Sequence, residues 1–127
     1  MRGDPRGAVV VELHPVPDAN AASALVARVR GDLDVAHAQQ ARAQLYRLHP
    51  AGGLLVLDVT DVGRVDVQGL AVLVGLVRRL RCAGEQCRLV VGDGPVAAAV
   101  GRQGLGEVLP CLRSLGEALA PPVAPHG

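Results

Sequence analysis

The chain has 127 residues and is nearly neutral, with thirteen basic side chains against twelve acidic ones and a formal net charge of +1. Half of it is hydrophobic, yet there is no Trp, no Phe and one Tyr, Tyr46, so the stacking platform of single-strand nucleic-acid binders is missing, and the scattered charge leaves no basic patch for phosphate backbones. Every basic residue is Arg, which excludes a Schiff base, a P-loop lysine and a lysine general base.

The length suits one domain with a single core. Residues 1–7 and the Pro-rich 120–127 read as flexible ends around a domain at 8–119. Ala8–Leu13 and Ala24–Arg30 read as strands, the second by its alternation of Leu25, Ala27 and Val29 with Val26, Arg28 and Arg30. The His14–Ser23 stretch between them is rich in turn formers and reads as a loop. Asp34 is placed to cap a helix over Val35–Leu48, with Ala38, Ala41, Leu45 and Leu48 inward and Gln40, Arg42, Gln44 and Arg47 toward water. His49-Pro50-Ala51-Gly52-Gly53 ends it.

Leu54–Val59 reads as a short strand buried on both faces. A second helix is predicted from near Val67 to about Arg81, with Arg78, Arg79 and Arg81 at its C-terminus, where cations suit the dipole. Cys87–Val91 is the next strand, Val96–Gln103 a third helix, and Gly104–Pro110 carries a short extended piece. Ser114 caps a last helix over Leu115–Leu119. The resulting order, β-β-α-β-α-β-α-β-α, implies an α/β domain: a small mixed sheet of four to five strands with about four helices packed mainly on one face.

Few residues offer chemistry. The hydroxyls are Ser23, Thr60, Ser114 and Tyr46, and there is no nucleophile elbow. His14, His37, His49 and His126 are scattered without metal-ligand spacing and read as surface residues. Asp58, Asp61 and Asp66 gather near the end of the third strand, where α/β proteins hold ligands, but turn formation and helix capping explain them without a metal. Gly92–Ala97, GDGPVA, fits a dinucleotide-binding pattern formally, yet Pro95 removes a backbone donor and no acidic strand end follows. Cys82, Cys87 and Cys111, an odd number without CxxC spacing, read as free thiols. No apolar run approaches a membrane span and the N-terminus lacks the apolar core of a signal peptide, so a cytoplasmic protein is expected. No cofactor and no enzymatic activity are implied.

The second helix is the informative element. Leu70, Leu73, Leu76, Val77 and Leu80 form one wide apolar stripe, but the other side presents Val67, Ala71, Val74 and Gly75, with charge only from Arg78 onward. Such a helix is either wedged between the sheet and another helix or half-covered by a partner.

Four segments in order resemble the STAS domain, a family named for sulfate transporters and anti-sigma factor antagonists. They are Val26–Leu45, with its Gly31-Asp32-Leu33-Asp34 entry; Leu54–Gly84, with its Asp58-Val59-Thr60 turn and Asp66-Val67-Gln68-Gly69-Leu70 helix start; Cys87–Pro110; and Ser114–Leu119. In the antagonist branch the D-S-[ST]-G turn is phosphorylated by an anti-sigma kinase, and the unmodified form binds that kinase. Here Asp66, Gly69 and Leu70 are kept, while Val67 and Gln68 stand where the hydroxyls belong and accept no phosphate. Thr60 matches an upstream Ser/Thr of the family without a reason to act as a substitute acceptor.

The resemblance implies a binding protein docking an anti-sigma factor/serine kinase-type partner, with Thr60, Asp34, Asp66, Val67, Gln68, Gly69, Ala71, Val74 and Arg78 as candidate contacts and no phosphorylation site at the turn. It also implies the alternative of a STAS subunit or scaffold in a transporter, phospholipid-trafficking or stress-signalling assembly, and leaves a homodimer open. Gln68 either fills the turn or sterically imitates a modified state.

Overall fold

The computed structural model describes residues 7–16, 24–50 and 53–119; the predicted end segments apart from Gly7, and residues 17–23 of the first loop, lie outside these residues, while His14–Val16, expected in that loop, continue the first strand. Nine elements follow in chain order: β1 (Val10–Val16), β2 (Ala24–Leu33), α1 (Ala38–Leu45), β3 (Leu54–Val65), α2 (Val67–Cys82), β4 (Gln86–Val90), α3 (Pro95–Arg102), β5 (Cys111–Leu112) and α4 (Leu115–Leu119). The sheet order is β1-β2-β3-β4-β5. Only β1 runs antiparallel to its neighbour; β2, β3, β4 and β5 are parallel. Each parallel step to the next strand needs a crossover, and α1, α2 and α3 supply the three.

The α/β class and mixed sheet match the expectation, and the boundaries show where local chemistry overrides periodicity. Helix α1 is three residues shorter at each end than predicted. At its start the Asp34 carbonyl takes the His37 amide in a tight turn at 3.1 Å, so the helical ladder begins only with Ala41 N–H donating to the His37 carbonyl. At its end Leu48 N–H donates to the Leu45 carbonyl, closing another tight turn. Strand β3 runs past the predicted end at Val59 as far as Val65 because β2 also continues to Leu33; the ladder between them skips register between Arg28 and Arg30. Asp58 sits at that irregularity. Its carboxylate is buried and accepts from the Thr60 amide at 3.0 Å and the Thr60 hydroxyl at 2.7 Å, with Arg28 Nε 3.6 Å away. The extended piece expected within Gly104–Pro110 is instead turns, and the pairing segment is Cys111–Leu112.

Two of the predicted water-facing residues of α1 have another task. The Gln40 side chain accepts from Val9 N–H and the Gln44 amide donates to the Val9 carbonyl, both at 3.0 Å, so these glutamines replace a strand partner just before β1. The predicted inward faces are all buried: Ala38, Ala41 and Leu45 on α1, Leu48 just after it, and Leu70, Leu73, Leu76, Val77 and Leu80 on α2. Val72 is buried as well, where α1 packs on α2, and its carbonyl accepts from Tyr46 Oη at 3.2 Å.

The main core joins α1, α2 and α3 to one face of the sheet, while α4 covers Val26, Val56 and Val90 on the other through Ala118, Leu115 and Leu119. All three cysteines are free. Burial pushes the Cys87 thiol up to about 12, whereas Cys82 is exposed at the end of α2. Because the thiolate is the reactive form, iodoacetamide at pH 7.5 is expected to label Cys82 in the folded protein and to reach Cys87 only on unfolding; peptide mapping before and after denaturation checks this.

Candidate functional site

The β3–α2 junction is built around one carboxylate. Asp66 has extended backbone angles and caps α2, its Oδ1 accepting from Gly69 N–H at 3.1 Å. Its Oδ2 accepts from Val35 N–H at 2.9 Å, tying the β2–α1 turn to the start of α2. The Asp66 amide donates back to the Leu33 carbonyl at 3.0 Å. Gly69 makes this crossing possible: a Cβ there would lie 1.8 Å from the Leu33 carbonyl oxygen. The predicted Asp66/Gly69 pair is thus a packing device in which the carboxylate is used up by backbone donors.

On this frame Val67 and Gln68 are both exposed, Val67 to 60% and the neighbouring Val35 to 71%. The occupant of the expected acceptor position is therefore an uncovered apolar side chain, with a second one beside it. Sequence reasoning missed Val35, having placed it inside α1; its polar neighbours Asp34 and Asp66 were the available signal.

Two grooves flank the junction. One, about 440 Å³, runs along the outer side of α2 and is lined by Val67, Ala71, Val74 and Arg78, with Gln103 and Leu105 on the opposite wall after α3. The other, about 420 Å³, is bounded by Asp34, Val35, Arg64, Asp66 and Pro95. The structure thus brings Val67, Ala71, Val74 and Arg78 together and sets Asp34 beside Asp66. Thr60 lines neither groove. It is exposed within β3, its hydroxyl turned to Asp58 and its methyl toward Gly92 ahead of α3.

Asp34 does not cap α1, whose N-cap is His37 with no side-chain bond. It caps the turn before it, accepting from His37 N–H at 3.0 Å and meeting His37 Nδ1 at 2.6 Å. His37 is therefore half-buried and engaged rather than a free surface residue. The hydrogen bond from His37 holds the Asp34 carboxyl below its ordinary 3.8. A depressed carboxyl stabilises the fold above its unfolded pKa, and that contribution is lost as pH falls through the folded value. Urea unfolding at pH 7 and pH 3 is expected to show a smaller acid-induced loss in Asp34→Asn than in the parent chain.

Asp58, Asp61 and Asp66 do not converge. Among the described residues, the donors that approach one another are Asp32, Asp34 and His37, within 4.8 Å. All three are already committed, Asp32 to the Arg64 amide and Asp34 and His37 to each other. Also among the described residues, no helix is long and apolar enough to cross a membrane.

Comparison with known proteins places this geometry. Osmosensory protein A of Mycobacterium tuberculosis is 30% identical over 99 residues, covering 76% of this chain; the chain spans 63% of that relative's length. A solved anti-sigma factor antagonist from Mycobacterium paratuberculosis superposes with a TM-score of 0.66 at 20% identity, covering 89% of this chain and 92% of that one. The murine Solute Carrier 26 family member A9 anion transporter contains a region that superposes with a TM-score of 0.68 at 19% identity, covering 88% of this chain and 21% of the transporter. At these identities the two structures establish a shared fold. The STAS domain model matches residues 11–118, nearly the whole described length, and the chain belongs to the STAS domain family.

Proposed function

We propose that the chain is a regulatory binding protein of the anti-sigma factor antagonist type, docking an anti-sigma factor/serine kinase-type partner in the cytoplasm without the usual phosphorylated off-state. The observation that supports this most is the β3–α2 turn. Its frame is complete, with Asp66 bonded to both Val35 and Gly69, yet the two positions it displays are Val67 and Gln68. A phosphate at a helix N-terminus inside a docking surface adds close to two negative charges and repels or obstructs a partner. Without a hydroxyl that signal has no attachment point, and the exposed Val67 favours contact with an apolar surface. The fold shared with the mycobacterial antagonist agrees with this reading.

The experiment is a binding titration of the purified chain against anti-sigma factor/serine kinase-type proteins of its own genome, each with and without prior incubation with ATP. One of them is expected to bind with the same affinity in both arms. Binding that falls after ATP treatment, with phosphate on the chain, contradicts the reading.

A second reading has its own support in Osmosensory protein A and in the anion transporter region of the same fold: a subunit or scaffold of a stress-signalling, transporter or phospholipid-trafficking assembly. A transporter ATPase that co-purifies stoichiometrically, with no kinase-type protein binding, would favour it.

A further inference from the structure

We infer that the groove along α2 receives an acidic amphipathic helix of the partner, about three turns long; this rests on the docking reading above. Val67, Ala71, Val74 and Arg78 recur at steps of four, three and four, so they form one straight row spanning about 16 Å at 1.5 Å per residue. A row of that spacing matches the apolar stripe of a second helix packed alongside. The small Ala71 lets the two backbones approach.

Charge selects the kind of helix. Neither α2 nor α3 contains an Asp or Glu, while they carry Arg78, Arg79, Arg81 and Arg102. Arg79 lies over the Tyr46 ring, but among the described residues the Arg78 side chain has no ion pair or hydrogen bond, although it lines the groove. Arg78 is thus a free guanidinium in a groove lined by no carboxylate, which favours a carboxylate on the incoming helix and rejects a basic one. A lipid surface is a poorer match, because the row lies in a groove walled by Gln103 and Leu105 rather than on a protruding face.

The test uses the full chain labelled with ¹⁵N and two synthetic helical peptides, identical in their apolar positions, one with Glu and one with Lys on the flanks. The Glu peptide is expected to shift the Ala71, Val74, Arg78 and Leu105 amides and to bind about tenfold more tightly at low salt. Arg78→Glu is expected to reverse the preference. Equal binding of the twins, or groove amides that respond only to dilution of the chain or to anionic vesicles, overturns the inference. If the Glu peptide fills the groove while no kinase-type protein binds the chain, this inference stands and the proposed function fails. If such a protein binds and Arg78→Glu leaves its affinity unchanged, the function stands and the inference fails.

Discussion

Gly69→Ala is expected to destabilise the domain by about 3 kcal/mol, at the upper end of what overpacking costs. The Cβ would fall 1.8 Å from the Leu33 carbonyl oxygen and 2.4 Å from its carbon, both backbone atoms that cannot rotate away. Relief requires the first turn of α2 to move off β2, which breaks the Asp66 contacts to Val35 and to residue 69 together. Thermal unfolding followed by circular dichroism should show a midpoint lowered by about 10 °C. Gly101→Ala is the matched control. It lies within α3, a Cβ there meets nothing within 4 Å, and the change should stabilise by about 0.5–1 kcal/mol. A loss at Gly69 no larger than about 0.5 kcal/mol, the scale of an ordinary surface change, would mean the crossing is not tight.

Ala71→Arg is expected to lower partner affinity by about a hundredfold, close to 2.7 kcal/mol, while leaving stability within about 0.5 kcal/mol of the parent. Ala71 is exposed at the middle of the α2 row, and Arg is almost as good a helix former as Ala, so the fold has no reason to change. The new side chain would fill the groove at the point where the small Ala71 lets the partner approach. Calorimetric titration against the partner, with a melting curve beside it, separates lost docking from lost folding. Unchanged affinity would remove the α2 row from the interface.

Much of the fold is legible in the residues because helix α2 and strands β2 and β3 carry strong periodic signals. The buried stripe from Leu70 to Leu80 and the alternation in Ala24–Arg30 each admit one reading. What periodicity does not encode is competition for backbone donors. Asp34 looks like a helix cap, but its turn is fixed by His37 and by a bond from Val35 to Asp66, thirty-one residues away. Gln40 and Gln44 look solvated until the chain at Val9 arrives beside them. The extension of β3 beyond Val59 depends on β2 reaching Leu33, a long-range pairing that the polar Asp58–Asp61 stretch does not advertise.

The same division holds at the candidate site. Val67, Ala71, Val74 and Arg78 are readable from their spacing on one helix, and Asp66 and Gly69 from the motif resemblance. Val35, Gln103 and Leu105 are not, because only the tertiary fold sets a turn and a loop against that helix. Thr60 is named from a motif match alone, and the use of its hydroxyl to bind the buried Asp58 is set by the fold.

The most direct test is site-resolved mass spectrometry after incubation with the kinase-type partner and ATP. The parent chain is expected to carry no phosphate on residues 60–69, while Val67→Ser/Gln68→Ser, which restores both hydroxyls on an unchanged frame, is expected to gain one at the turn. Phosphate on residues 60–69 of the parent chain would contradict the account.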